Sequence, residues 1–221
     1  MVATLFLLGT HFGIASTNLR AQVVLSIGER LYLALFSLVS VVAIFWLVSA
    51  WRVAPLVPLW LPGATLRALP FLLMPLVLLL FVCALSQPNP TAVGQEVDAD
   101  ATEPARGILR VTRHPLMWGI GLWGIGHMLA KGDLASILFF GALTALALVG
   151  TVLIDARRTN RNPPGWGVFL QRTSSLPFQA IVQGRQRLVM AEIGLTRVAA
   201  ALGLYVALIW VHGWLFGAAL F

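Results

Sequence analysis

Long apolar runs, separated by shorter stretches that carry arginine and proline, set the pattern of this chain. The runs lie near 1–18, 31–51, 66–86, 115–130, 134–154 and 198–221. A helix needs about 20 mostly apolar residues to cross the hydrocarbon core of a bilayer. Helices and closed barrels alone satisfy their backbone polar groups there. The pattern predicts an all-α fold, a polytopic transmembrane helical bundle of about six spans, with ends soft by several residues. The first and fourth runs are short for a bilayer, so they are expected to tilt little or to start earlier. No Lys or Arg precedes Arg20, so the first run lacks the basic flank of a cleaved signal and is read as a retained span.

Composition agrees with that reading. Hydrophobic residues make up 59% of the 221 residues and charged residues only 10%, against about 25% charged in a soluble domain. The length suits a single integral membrane domain over 1–221, with the lipid bilayer as its partner. The formal charge of +7 is not a nucleic-acid signal, because the basic residues cluster at span ends. Loops 19–30, 87–114 and 155–197 hold twelve Lys or Arg, and the opposite side holds three, Arg52, Arg67 and Lys131. Basic loops stay in the cytoplasm. Both termini are then expected on the outer side, which is the periplasm if the membrane is the bacterial inner membrane that the resemblance given below implies. A lone cysteine, Cys83, allows no intrachain disulfide and no cysteine-based metal site. Inside an apolar run it is expected to be inert.

The loops differ in kind. Residues 87–105 contain Pro88, Pro90, Pro104, Glu96, Asp98, Asp100 and Glu103 and read as an irregular polar loop. Residues 106–114 are basic and partly apolar, suited to the headgroup level. The stretch 155–192 carries too many apolar residues for a solvated loop, among them Trp166, Phe169, Leu176, Phe178 and Ile181. It predicts a cytoplasmic interfacial or cap helix around 164–189. No short-period repeat and no phosphate-binding glycine loop is present.

Chemistry concentrates in the four histidines. Ionisable groups within membrane spans are costly and mark functional sites by default. His11 sits among Gly9, Thr10, Gly13, Ala15 and Ser16, roughly 15 Å along its helix, where small neighbours admit a second helix or a flat ligand. His114 lies in Arg113-His114-Pro115 at the cytoplasmic start of the fourth span, where proline favours a helix beginning. His127 lies 13 residues further on, roughly 20 Å of helical rise away and about 140° around the helix. A straight helix therefore cannot bring His114 and His127 to one ion. His127 shares a face with Trp123. His212 lies between Trp210 and Trp214 in the last span. Comparable depth allows His11, His127 and His212 a common outer pocket, and imidazoles ligate haem iron. The alternative for each histidine is a packing hydrogen bond. Gly119, Gly121, Gly124 and Gly126 read as close-packing positions.

These motifs carry a resemblance. The opening Thr10-His11-Phe12-Gly13 with Gly28-Glu29-Arg30-Leu31-Tyr32, the Arg113–Gly119 stretch with His127 and Asp133, and the tail Gly203–Gly217 are similar to the NnrU family of bacterial membrane proteins. The similarity extends to zeta-carotene isomerases of the same broader group, which are haem-b membrane enzymes. The resemblance implies haem b, with His11 and His114 as iron ligands and Arg113, His127 and His212 as further cofactor-binding candidates. It also implies a link to nitrite and nitric oxide metabolism (denitrification), beside a respiratory or denitrification complex, or cis–trans isomerisation of a lipid-soluble substrate.

Residues 106–178 more distantly resemble isoprenylcysteine carboxyl methyltransferases and phospholipid methyltransferases. That likeness implies S-adenosylmethionine as the alternative cofactor. Met117 stands at the tyrosine of their motif, and Asp155-Ala156 replaces their paired glutamates, so the methyl-donor site reads as degraded. A non-catalytic assembly or sensory role is the third reading.

Overall fold

In the computed structural model, residues 1–92, 94–95 and 103–217 are described. Glu96, Asp98 and Asp100 of the polar loop, and the expected last residues 218–221 of the sixth span, lie outside the described residues. The described chain is helical, with one isolated bridge pairing Pro58 and Asp133.

Helix α1 (Val2–Leu8) runs on as a π-helical segment, Gly9–Ala15. After a break it turns 75° into α2, Asn18–Ile27. This helix replaces the loop expected at 19–30. No glycine or proline interrupts Asn18–Ile27, and the Thr17 hydroxyl accepts the Leu19 N–H at 3.3 Å as an N-cap. Gly28 separates α2 from α3 (Glu29–Arg52) at φ 82° and ψ 154°. That region is essentially reserved for glycine. Gly194 makes the same corner, φ 82° and ψ 139°, between α9 (Met190–Ile193) and α10 (Leu195–Phe216).

Between these corners lie α4 (Ala64–Ser86), α5 (Pro115–Lys131) and α6 (Leu134–Arg161). Helix α6 continues past the expected end at 154 because no helix breaker occurs until Pro163. Arg158 and Arg161 in its last turn complement the helix dipole. Asp155, Arg157 and Arg158 therefore sit on a helix and not in a loop. The expected cap helix at 164–189 is instead two short helices, α7 (Trp166–Arg172) and α8 (Gln179–Val182). The residues between them pair with the backbone of 111–113.

Among the described residues four helices, α3, α4, α6 and α10, are long and apolar enough to cross a membrane, and the bent pair α1–α2 makes five if it counts as one span. Helix α5 has 17 residues, about 25 Å at helical rise, and is the short fourth run of the sequence. The chain is thus a bundle-forming, all-α membrane protein.

The chain forms two compact units, 1–69 with 124–146 and 70–123 with 147–221. In the first, α1 and α2 pack on α3, burying Ala3, Leu7, Ala43 and Leu47. Trp51 stacks on Phe139 at 5.2 Å and donates from Nε1 to the Ser136 hydroxyl. Asp133 caps α6 by accepting the Ser136 N–H at 2.9 Å. Gly124 packs on α6: a Cβ there would meet the Thr144 hydroxyl, and the Phe140 carbonyl at 2.9 Å. Backbone cannot retreat as a flexible side chain does. Gly124→Ala is expected to cost about 1–3 kcal/mol through overpacking, read as a lower Tm in detergent. Gly203→Ala, with nothing within 4 Å, is the control and should leave Tm in place.

The second unit has two buried clusters. Leu80, Cys83, Ile108, Val111 and Ile193 form one; Ala105, Leu109, Trp166 and Phe169 form the other. Cys83 is a core residue. Gly119 and Gly121 are packing positions, since a Cβ would lie 2.5 Å from Phe81 and 2.8 Å from Leu148 respectively.

Candidate functional site

The second unit builds a polar cluster around the start of α5. Pro115 opens that helix, and the His114 carbonyl accepts its first backbone hydrogen bond, from Trp118, at 3.0 Å. The preceding residues are held by a strap, 174–178. Arg113 N–H donates to the Ser174 carbonyl at 3.0 Å, and Phe178 N–H donates to the Val111 carbonyl at 2.8 Å. The Thr112 hydroxyl and the Trp118 indole both donate to the Ser175 carbonyl at 2.7 Å. Phe178 takes φ 64° to complete this pairing, a backbone outlier for a bulky residue.

Asp155, reaching across from α6, joins the cluster. Its carboxylate accepts from Arg113 Nε at 3.0 Å and Nη2 at 2.6 Å, and from His114 Nε2 at 2.9 Å. The His114 side chain has no exposed surface, and its Nδ1 is buried without a hydrogen-bond partner among the described residues. A buried polar atom left unsatisfied is uncommon and calls for a physical reason. Carboxylate–imidazole pairing with one ring nitrogen left over is the arrangement around metal-ligating histidines, where the carboxylate fixes tautomer and orientation. His114 therefore has the donor chemistry for haem iron. Nothing as large as water reaches Nδ1 here, so a ligand gains it by displacing a neighbour.

Arg113, a cofactor-binding candidate from sequence, spends its guanidinium on Asp155. Trp166 and Phe169, apolar residues of the expected cap helix, are 1% and 0% exposed and serve the core. Arg110, expected at the headgroups, is buried. It donates to Glu192 from Nε at 2.8 Å and Nη2 at 2.9 Å, and to Gln186 from Nη1 at 2.6 Å.

That Arg110 fork, helped by the Gly107 N–H, holds the Glu192 carboxyl below its usual range. A depressed folded pKa contributes stability that is full above the unfolded value, about 4.3. The contribution is lost as pH falls through the folded value. Acid titration of Tm should show that loss, and Glu192→Gln should flatten the curve below about pH 4. A variant that keeps the same acid slope would contradict this assignment.

In the first unit, His11 lies in the π segment. Its Nδ1 is 2.9 Å from the Leu7 carbonyl, its Nε2 3.5 Å from the Ser40 hydroxyl, and its ring meets the Phe36 edge at 5.0 Å. π segments within helices are frequent at functional sites. His127 stacks on Phe140 of α6 at 5.2 Å. In the second unit His212 tilts against Phe216 at 4.9 Å. Among the described residues, no three His, Cys, Asp or Glu side chains gather to hold a metal ion. The sequence reading missed Asp155 as the partner of His114. A lone acid near the end of an apolar run was the available signal.

A family model described as NnrU protein matches residues 1–220. A chloroplastic 15-cis-zeta-carotene isomerase of Zea mays is 38% identical over 82 residues, 37% of this chain and 22% of that protein. Its counterpart of the same name in Arabidopsis thaliana is 38% identical over 80 residues, 36% of this chain and 22% of that protein. The chain therefore matches less than a quarter of either relative's length. No solved structure matches.

Proposed function

The chain belongs to the NnrU family, and we propose that it is a haem-b-binding integral membrane protein that isomerises a lipid-soluble, unsaturated substrate between cis and trans forms. The observation that carries this is the buried His114 imidazole, oriented by Asp155 and with one ring nitrogen uncommitted. The name shared by the two plant relatives supplies the reaction class. Nitrite and nitric oxide metabolism, with a respiratory or denitrification complex as partner, is the alternative biological setting for the same cofactor. The excess of basic residues in loops 19–30, 87–114 and 155–197 favours those loops on the cytoplasmic side and both termini opposite; the bacterial inner membrane, with periplasmic termini, is the setting that the NnrU resemblance implies.

Haem iron, when bound, supplies one-electron and ligand-exchange chemistry that no side chain offers. This chain's residues do the rest. His114 and, in the other unit, His11 are the candidate ligands, each judged within its own unit. Asp155 holds the His114 ring, and Arg113 balances the carboxylate's charge. The surrounding apolar helices give a lipid-soluble substrate access from the bilayer and keep bulk water away.

Haem-replete expression followed by absorption spectroscopy is the test. Purified protein should show a Soret band. His114→Ala and His11→Ala should each lose or shift it, while His212→Ala keeps it. Absence of the band in the unsubstituted protein would overturn the reading.

A further inference from the structure

We infer that the two candidate ligands present opposite ring nitrogens, Nε2 from His11 and Nδ1 from His114, each selected by a hydrogen bond at the other nitrogen. This rests on the haem reading only for what the nitrogens bind. The tautomers themselves are set by the hydrogen bonds.

At His11 the choice falls to a carbonyl. The Leu7 oxygen lies 2.9 Å from Nδ1. A carbonyl only accepts, so Nδ1 must carry the proton. A bare Nδ1 would set two lone pairs against each other. That leaves Nε2 with the lone pair. Its neighbour is the Ser40 hydroxyl at 3.5 Å, but Ser40 has one proton and gives it to the Phe36 carbonyl at 2.7 Å. The lone pair on Nε2 is therefore unclaimed.

At His114 the choice falls to a carboxylate, on the other nitrogen. Asp155 Oδ1 lies 2.9 Å from Nε2, which must donate. Nδ1 then holds the lone pair. A second proton there would be a buried donor facing no acceptor, because Nδ1 has no partner among the described residues. It would also add positive charge beside the Arg113 guanidinium, which is paired with the same carboxylate. Burying such an unpaired donor is costly.

The opposition has a chemical meaning. A carbonyl partner leaves the His11 ring an ordinary imidazole donor. A carboxylate partner draws on the His114 N–H and makes that ring the stronger electron-pair donor toward a metal. The two nitrogens are thus unequal donors.

The test uses the full chain in phosphatidylglycerol–phosphatidylcholine vesicles, labelled with ¹⁵N-histidine and free of cofactor. With four histidines in the chain, single His→Gln variants assign the ¹⁵N solid-state resonances. The expected result is a bare Nε2 for His11 and a bare Nδ1 for His114. A bare Nε2 at His114, a bare Nδ1 at His11, or two protonated nitrogens on either ring would overturn the inference. Titration with ferric haem adds a second readout. Nδ1-methylhistidine in place of His114 should weaken binding about tenfold or more, and Nε2-methylhistidine should do the same in place of His11. Haem binding with the reverse methyl pattern would sink the nitrogen assignment and leave the cofactor reading standing. No haem binding by any form, with the resonances as expected, would sink the cofactor reading and leave the assignment standing.

Discussion

Asp155→Ala is expected to lower stability by about 3–5 kcal/mol, the range for breaking a buried ion pair by removing one partner. Its carboxylate serves two donors at once, Arg113 and His114, and both side chains are largely or wholly buried. Removing it strands a guanidinium and leaves His114 Nε2 without its acceptor. Asp155→Asn separates the two effects. An amide oxygen still accepts from His114 Nε2, but the charge that pairs Arg113 is gone, so the loss should fall between that of the alanine variant and zero. Denaturant unfolding in detergent micelles reads both. Equal losses for the two variants would show that the charge alone matters. A change under about 1 kcal/mol for alanine, the level of an exposed pair, would remove Asp155 from the site.

Arg110→Ala is the second large effect, expected at about 3 kcal/mol or more. Arg110 is 8% exposed and holds three neighbours together. Through Glu192 and Gln186 it joins the 3₁₀ turn Gly107–Arg110 to the chain leading into α10. Glu103 lies 3.7 Å away as a weaker second anion. Without the guanidinium, Glu192 keeps only the Gly107 N–H at 2.7 Å among these contacts. Arg110→Lys retains charge but not the fork, so it should recover only part of the loss. Full recovery by lysine would mean that charge, not geometry, is what this position supplies.

The spans were legible because length and apolarity are local properties, readable one segment at a time. Helix α2 was not, since Arg20, Gln22 and Ser26 dilute its hydropathy while leaving its backbone preference intact. The end of α6 was misplaced for the same reason: charged residues ended the apolar run but not the helix. His114 was legible from its setting between arginine and proline. Asp155 was not, because its meaning depends on contacts 41 and 42 residues away in sequence. The strap at 174–178 was hidden likewise. Its residues read as part of a cap helix, and only their pairing with 111–113 explains why the helix stops.

The π segment at Gly9–Ala15 makes chain length, and not only side-chain identity, a variable of the His11 environment. Each π hydrogen bond spans one residue more than an α bond. Deleting Gly13 would let the segment relax toward an α-helix, the wider turn giving up its extra residue, so that the C-terminal flank keeps roughly its bearing while the turn that carries His11 tightens. His11 currently faces Phe36 and Ser40 on α3. A shortened chain would keep every functional side chain yet re-aim the His11 ring relative to Phe36 and Ser40. Insertions and deletions in this stretch are therefore expected to be as consequential as replacing the histidine itself.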